Sequence, residues 1–283
     1  MGSAQKSYFF KIIDELRGRH PLSLLLYHSG LSKSGYYKWK KSKDRQSKNE
    51  IVTEHIKAIH SVRPFYGYRR ITAVLRKEGF SVNHKRIYRL MRTLGLQSVI
   101  RKKRRYFGKS GGVVFPNILC RDFKSNSFRK KLVTDITYMP TTEGFIYLSV
   151  VQDIYNNEII AYSLSSRNDM ALVLDTLRKI PVAHGAVLHS DQGFQYTHKA
   201  YQEKLAQLQM TGSHSRRGNC LDNACVESFF SHLKTETSIN NHVLNKEEVM
   251  ASVEKYILFY NTERLQKRLG QLSPVEYREK LAA

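Results

Sequence analysis

The sequence predicts an all-α N-terminal part followed by an α/β domain with a mixed sheet and helices on its faces. Apolar residues recur with helical spacing as far as about residue 94, and strand-like segments begin at about residue 131. The two parts also differ sharply in charge. At 283 residues and 41% hydrophobic composition, the chain can bury a substantial core, which excludes a wholly disordered protein.

The charge distribution indicates a polyanionic partner. The chain has 47 lysines and arginines against 24 acidic residues, a formal net charge of +23. Residues 1–131 hold 32 basic and 7 acidic side chains, whereas residues 132–283 hold 15 and 17. A generic solvated basic surface is the alternative, but such a surface is rarely confined to half of a chain. Binding to a membrane surface is another interpretation of the positive charge, but no lipidation motif supports it.

Two features bear on the cellular compartment. No run of about 18 apolar residues occurs, and the start MGSAQKSYFF lacks a signal-peptide layout, so we expect a cytoplasmic protein with no membrane partner. The three cysteines, Cys120, Cys220 and Cys225, lack paired Cys-x-x-Cys spacing. We therefore predict reduced thiols, with neither a disulfide framework nor a structural zinc site.

A first helix-turn-helix segment is predicted within residues 1–47. The run LSLLLYHSGLSKSGYYKWK places Gly30 in the turn and Ser32 where it can cap the second helix.

A clearer helix-turn-helix domain is predicted over residues 48–105. It has a helix over about Ile51–His60, a turn at Pro64–Gly67, a helix to about Glu78 and a final helix from about Asn83.

The final helix of this domain has an apolar and a basic side. Its predicted buried stripe is Ile87, Leu90, Met91 and Leu94. The basic residues that we assign to DNA binding are Lys85, Arg86, Arg89 and Arg92. A helix with an apolar back and a basic front suits the DNA major groove. The alternative is an ordinary amphipathic helix with a solvated basic face.

A basic, glycine-containing linker is predicted over residues 106–127. It follows five consecutive cations, Arg101, Lys102, Lys103, Arg104 and Arg105, which repel one another unless phosphates screen them. We therefore expect these cations to follow a DNA backbone. A merely flexible tether is the alternative.

The domain predicted over residues 128–240 combines strands with helices. Predicted strands are Lys131–Thr137, Phe145–Val151, Glu158–Ser163, Ala186–His189 and Gln209–Gly212, and predicted helices are Met170–Lys179, Thr197–Ala206 and Leu221–Lys234. Three consecutive strands followed by alternating helices and strands imply a mixed sheet with helices on its faces. Residues 241–283 are predicted to form a helical extension.

Three acidic residues occur in contexts that are unusual for surface charges. Asp135 lies within the strand LVTDITYM, where a buried carboxylate is costly without a cation. Asp191 follows the apolar strand AVLHS directly, at the carboxyl end where α/β proteins bind ligands. Glu227 lies in the helix LDNACVESFFSHLK. Taken singly, each has an ordinary interpretation: an edge residue, a turn former and a solvated glutamate.

Taken together, the motifs resemble the orfB-type transposases of the IS-three family of bacterial insertion sequences, with the IS-one-fifty subgroup as the nearest pattern. These enzymes belong to the superfamily of DDE transposases and retroviral integrases. The motifs are TDITY, HSDQGFQY, SRRGNCLDNACVESFFSHLK with a 35-residue gap between Asp191 and Glu227, and YNTERLQKRLGQLSPVEY. The helix-turn-helix segments are similar too, so the resemblance covers essentially the whole chain.

The resemblance implies a ribonuclease H-like fold that brings Asp135, Asp191 and Glu227 together as catalytic residues and metal ligands. Carboxylate oxygens favour Mg²⁺ or Mn²⁺, and two such ions suit an in-line displacement at phosphorus. The implied activity is cleavage and joining of DNA strands at the terminal inverted repeats, through a circular intermediate. The implied partners are terminal-repeat and target DNA, further copies of the chain on paired ends, and an upstream orfA product or fusion, in the bacterial nucleoid.

Other residues gain interpretations from the same resemblance. Lys234 lies two helical turns after Glu227, on the same face, and is expected to contact terminal DNA; a solvent-facing lysine is the alternative. Arg216 and Arg217 are also assigned to DNA binding. The residues His189, Asp222 and Asn223 flank the motifs as candidate supports of the metal ligands, with a neutral core histidine as the alternative for His189.

Two positions depart from the family pattern, and two acidic residues are set apart from the site. Leu132 stands where the family often has tryptophan, and Gln266 where it often has histidine, which concerns local packing or a DNA contact. Asp153 and Glu158 flank a turn-like Asn-Asn pair and are interpreted as structural. Two other functions stay open at this point: a DNA-binding regulator without catalysis, and a nuclease that only hydrolyses.

Overall fold

The computed structural model describes residues 3–99, 114–120, 122–216, 223–237, 239 and 244–282. The chain forms two compact units, residues 1–98 and residues 99–283. Some residues with predicted roles lie outside the described ranges, namely the five cations at 101–105, Arg217 and the acidic Asp222. The predictions for them stay as stated. Within the described ranges, no helix is both long and apolar enough to cross a bilayer.

The first unit contains five helices among its described residues. They are α1 (Ser3–Leu16), α2 (Leu22–Ser29), α3 (Lys33–Val62), α4 (Tyr68–Lys77) and α5 (His84–Thr93).

The turn between α2 and α3 has the predicted chemistry. Gly30 ends α2 in the left-handed region, with φ of 65°, where a residue without Cβ is favoured. Ser32 precedes α3 and its hydroxyl accepts a hydrogen bond from the Gly35 N–H at 3.1 Å. Buried Phe10, Leu26 and Tyr36 join α1, α2 and α3 in one small core. Helix α2, its turn and α3 therefore follow one another as a helix, a turn and a helix.

Helix α3 differs from the prediction, because it runs unbroken through the boundary at 47/48 that we expected between two segments. The residues between Lys41 and Glu50 include neither glycine nor proline, so nothing local ends the helix. The second half of α3 packs against α4 and α5 and thereby supplies the helix that we expected to begin at Ile51.

The remaining helices of this unit follow the prediction. Asn83 caps α5 by accepting a hydrogen bond from the Lys85 N–H at 2.8 Å. On α5, Ile87 and Met91 are buried, whereas Leu90 and Leu94 are partly buried. The apolar stripe is thus the side of α5 that packs on its neighbours.

The second unit contains five strands and five α-helices in its described part. The strands are β1 (Lys131–Thr141), β2 (Gly144–Asp153), β3 (Ile159–Ser165), β4 (Val187–Ser190) and β5 (Thr211–His214). The helices are α6 (Met170–Arg178), α7 (Lys199–Gln207), α8 (Ala224–Glu236), α9 (Lys246–Thr262) and α10 (Pro274–Ala282).

The five strands form one mixed sheet in the order β3-β2-β1-β4-β5. Strands β1, β2 and β3 pair antiparallel, whereas β4 pairs parallel with both β1 and β5. Strand β1 continues past Pro140 and is therefore longer than predicted. The described pairing of β1 with β4 covers only Lys131–Val133, so Pro140 lies in a part of β1 that is an edge on that side, where proline is tolerated.

Helices cover both faces of the sheet with separate apolar cores. One core contains buried residues of β1 and β2 such as Val133 and Leu148, together with Phe229 of α8 and Tyr256 of α9. The other contains Leu132 of β1 and packs against α6 and α7. This is the predicted arrangement of a mixed sheet with helices on its faces.

The C-terminal signature stabilises the far edge of the sheet. Asn261 accepts a hydrogen bond from the Ile159 N–H at 3.0 Å and donates to the Ile159 carbonyl at 2.9 Å, as a neighbouring strand would. Gln266, one of the departures from the family pattern, is buried and accepts a hydrogen bond from Asn157 at 2.8 Å. The departure at this position therefore concerns packing.

Asp153, which we predicted to be structural, is a fully buried carboxylate at the end of β2. It accepts hydrogen bonds from the backbone N–H groups of Arg129 at 2.7 Å and Tyr155 at 2.9 Å. Burial raises its pKa to about 6 despite these bonds.

The raised pKa of Asp153 predicts a fall in stability with pH. Because the folded state binds the proton more tightly than the unfolded state, the contribution is fully present below about pH 4 and is lost as pH rises through 6. We expect Asp153 to account for about 3 kcal/mol of this change, at an order-of-magnitude level. Urea unfolding of wild type and Asp153→Asn between pH 4 and 7 measures it; equal pH slopes for the two proteins would contradict this account.

Candidate active site

Two of the acidic residues lie near the point where the parallel pairing of β1 and β4 ends, Asp135 within β1 and Asp191 directly after β4. Val133 of β1 is paired with His189 of β4, so Asp135 and Asp191 each follow that pair by two residues. Adjacent strands are about 4.8 Å apart, and residues in register point to the same face. The local fold therefore brings these two carboxylates together where the pairing of β1 with β4 ends.

The backbone after β4 holds Asp191 in a tight turn. Its Oδ1 accepts a hydrogen bond from the Gly193 N–H at 2.8 Å. A Cβ at residue 193 would lie 3.0 Å from the same oxygen, a contact tighter than ordinary packing allows. Glycine therefore permits the close approach that fixes the carboxylate.

The third acidic residue, Glu227, lies exposed in the first turn of α8. Asn223, directly before that helix, is buried and donates a hydrogen bond from Nδ2 to the Thr134 carbonyl at 3.3 Å. This bond joins the start of α8 to the residue before Asp135. Asn223 is one of the predicted supports of the metal ligands, but the sequence does not indicate its partner, because 89 positions separate the two residues.

The charges of these residues influence one another. The pKa of Asp135 lies well above its usual range, first because its carboxyl is buried and then because Asp191 and Glu227 add negative charge nearby. The Ile136 N–H, which donates to Oδ1 at 2.8 Å, and the ammonium group of Lys234 act in the opposite direction. Burial also raises the pKa of Asp191.

Two tyrosines beneath the carboxylates were missed by the sequence analysis. Tyr196 and Tyr201 are fully buried, with ring centroids 5.4 Å apart. Burial raises the pKa of both hydroxyls, and the charge of Asp191 adds to the effect on each. Both rings belong to the apolar core that also contains Leu132 and Leu188. The spacing of apolar side chains after Gly193 was the feature of the sequence that could have indicated these buried tyrosines.

The observed relation among the three carboxylates is electrostatic, since the charges of Asp191 and Glu227 both act on Asp135. Within the described ranges, no three His, Cys, Asp or Glu side chains converge tightly enough to surround a single metal ion. Mg²⁺ in proteins is usually held by one or two carboxylates together with water and substrate phosphates. The carboxylate donors therefore fit hard divalent cations by type, and the assignment of the three residues as metal ligands stays a prediction.

His189 is a core residue of the sheet. It is fully buried, and its Nδ1 is 2.9 Å from the Ser213 hydroxyl of β5. The same hydroxyl accepts a hydrogen bond from the Ile118 N–H at 2.9 Å. His189 therefore links β4 to β5 and to the segment that precedes β1.

Of the basic residues assigned to DNA binding on α5, three are on its exposed side: Lys85, Arg89 and Arg92. Arg86 differs, because it is partly buried and its Nε donates a hydrogen bond to Asn49 of α3 at 2.9 Å. This bond joins two helices of the unit and favours a structural role for Arg86, while its assignment to DNA binding stays a prediction. In the second unit, Arg216 is exposed directly after Ser215, whose carbonyl accepts a hydrogen bond from Gln192 at 2.9 Å.

Family models match three parts of the chain. An HTH-like domain matches residues 46–104, and integrase core domain models match residues 127–220 and 227–281. The first integrase core match contains Asp135 and Asp191, and the second begins at Glu227. The sheet with its flanking helices and these matches define a DDE-type polynucleotidyl transferase with a ribonuclease H-like integrase core.

Named relatives define the family more narrowly. The chain is 41% identical to the putative transposase InsK of insertion sequence IS150 from Escherichia coli, covering 95% of this chain and 97% of the relative. It is 37% identical to the transposase of IS904 from Lactococcus lactis, with coverage of 82% and 95%. The chain therefore belongs to the insertion-sequence transposases of the IS-three family, as the motifs predicted. Among solved structures, the HTLV-2 integrase catalytic core domain in complex with magnesium is 12% identical, covering 53% of this chain and 95% of that one, with a TM-score of 0.42.

Proposed function

We propose that this transposase binds the terminal inverted repeats of its own insertion sequence and performs metal-dependent 3′-end cleavage followed by strand transfer. The observation that carries the proposal is the register of β1 and β4, in which Val133 pairs with His189 two residues before Asp135 and Asp191. Membership in the transposase family supplies the substrate class, double-stranded DNA.

In this proposal Asp135, Asp191 and Glu227 hold two Mg²⁺ or Mn²⁺ ions. Two such ions supply activation of the attacking oxygen and stabilisation of the leaving oxygen at phosphorus. Asp135 would take part in holding these ions, because the charges of Asp191 and Glu227 both act on its carboxyl. Its buried and crowded carboxylate favours a cation, because ionisation there is otherwise opposed by burial and by two negative neighbours.

The remaining residues of the site hold and orient the acidic ones. The Gly193 N–H fixes Asp191, and Asn223 ties α8 to β1 so that Glu227 stays near Asp135. Lys234, whose positive charge acts on Asp135, is placed to neutralise a DNA phosphate at the same site.

We further propose that residues 1–105 recognise the inverted repeats and that the protein acts as a homo-oligomer on paired ends, with an orfA product or fusion as an additional partner. The exposed side of α5 and Arg216 provide cations for phosphate contacts. No covalent intermediate with the protein is required, because water attacks first and the freed 3′-hydroxyl attacks second.

The test is incubation of the full chain with Mn²⁺ and a labelled duplex carrying the terminal repeat that borders its gene. Joined products are expected. Cut ends without joining would favour a nuclease, and binding without either product would favour a regulator.

Helix α5 has three exposed basic residues and one that is partly buried, and we expect the two kinds to differ in their effect on DNA binding. Each of Lys85→Ala, Arg89→Ala and Arg92→Ala should reduce the slope of log Kd against log salt concentration by about 1, because each removes one phosphate contact. Arg86→Ala is the matched control: it loses the bond to Asn49, so stability should fall by about 1 kcal/mol while the slope stays unchanged. Fluorescence anisotropy across a salt series measures the slope, and an effect of Arg86→Ala as large as the others would contradict this assignment.

A further inference from the structure

Two aromatic side chains are exposed side by side on the hairpin that joins β1 and β2. Tyr138 is 57% exposed and Phe145 is 47% exposed. Their ring centroids are 5.5 Å apart and their planes meet at 88°. We call this pair the aromatic platform. Neither residue is one of the three acidic residues of the proposed active site or one of the basic residues assigned to DNA binding.

The aromatic platform is connected to the proposed active site through Lys234. Tyr138 follows Asp135 by three residues of extended strand, about 10 Å, so the two side chains leave β1 on opposite faces. The Lys234 ammonium nitrogen lies 5.0 Å from the centre of the Tyr138 ring, in a cation–π contact. The same ammonium group acts on the carboxyl of Asp135. Lys234 therefore connects the platform to the carboxylates.

The hairpin that carries the platform is held at its tip. The Thr142 N–H donates a hydrogen bond to the Leu244 carbonyl at 2.9 Å, and Glu143 forms an ion pair with Lys246 at 3.3 Å. Both contacts join the tip to the segment that begins α9. The aromatic rings are thus presented on a supported part of the sheet, which limits the entropy lost when a flat ligand binds.

We propose that the aromatic platform stacks one unpaired base at the end of the element's DNA, while Lys234 contacts the adjoining phosphate. An aromatic face beside a cation is the combination that binds single-stranded nucleic acid, because the base stacks and the phosphate is neutralised. We take the end of the element as the source of this base because Lys234, which contacts the platform, also acts on the carboxyl of Asp135. The proposal rests on the proposed function, since it takes the element end as the occupant.

The test compares binding of full-length variants to terminal-repeat duplexes, by fluorescence anisotropy in EDTA. Tyr138→Ala and Phe145→Ala should each weaken binding by about 5- to 150-fold, the range that loss of one base stack produces. Tyr138→Phe, which keeps the ring, should bind as wild type. Leu258→Ala, a truncation of a 64% exposed side chain on α9, is the control for loss of surface area.

A second substrate separates stacking from a merely structural role. The second substrate is a set of three duplexes, each with an abasic site at one of the last three positions. On one of these duplexes, wild type and Tyr138→Ala should bind with equal affinity. An equal loss for Tyr138→Ala on intact and on every abasic duplex would overturn the proposal, as would unchanged binding by both alanine variants. Failure of wild type to join DNA ends with Mn²⁺ is a separate result, which would overturn the proposed function instead.

Discussion

Replacing Asp191 with asparagine should lower the rate of strand joining on the order of 10³-fold or more while leaving DNA affinity in EDTA unchanged. The substitution keeps the size of the side chain and an oxygen that can accept from the Gly193 N–H, but it removes the charge that a divalent ion requires. Loss of several kcal/mol of transition-state stabilisation corresponds to this factor. The measurement is single-turnover joining of a labelled terminal-repeat duplex.

The thermal stability of Asp135→Asn, with and without Mn²⁺, distinguishes a metal-binding role of Asp135 from a role in the fold alone. Because the pKa of Asp135 is raised in the folded protein, its ionised form destabilises the fold at neutral pH, so the neutral asparagine should raise Tm in EDTA. In a protein of this size, about 1 kcal/mol corresponds to roughly 2–4 °C. Saturating Mn²⁺ should stabilise wild type more than the variant. A lower Tm in EDTA together with lost joining would indicate that Asp135 acts through the fold.

The second large effect is expected on stability, at the ion pair that joins α8 to the C-terminal signature. Arg264 and Glu236 are almost fully buried, with two hydrogen bonds at 2.6 and 2.8 Å, and the Tyr256 hydroxyl donates to the same carboxylate at 2.8 Å. Arg264→Ala should therefore destabilise the protein by about 3–5 kcal/mol, because it leaves a buried charge without its partner. Urea unfolding measures the change.

A double variant is the control for this ion pair. Replacing both partners with apolar residues, Arg264→Met with Glu236→Leu, should recover much of the stability, since no unpaired charge is left in the core. A single variant as stable as wild type would contradict the proposed role of the pair. Because Glu236 ends the helix that carries Glu227 and Lys234, loss of the pair should also reduce joining activity.

Local features of the fold could be predicted because neighbouring residues determine them. Gly30 and Ser32 define the turn before α3, and Asn83 defines the start of α5. The position of Asp191 followed from an apolar strand that ends before a glycine. Each of these patterns involves only residues a few positions apart, so the chain carries the signal locally.

Features that depend on distant residues could not be predicted in the same way. The contact of Arg86 with Asn49 and that of Asn223 with Thr134 join residues 37 and 89 positions apart. A single sequence gives no direct signal for such pairs, because packing between elements selects them. The continuity of α3 was missed for a related reason, since a polar stretch without apolar periodicity was taken as a boundary.

The central claim is that Asp135, Asp191 and Glu227 together bind two divalent ions. The most direct measurement is a crystal structure of the full chain with terminal-repeat DNA and Mn²⁺, with the ions located by anomalous scattering. We predict two peaks about 4 Å apart, with Asp135 contacting both ions and Asp191 and Glu227 each contacting one. Peaks bound by other residues, or a fully occupied site without any contact from Glu227, would contradict the claim.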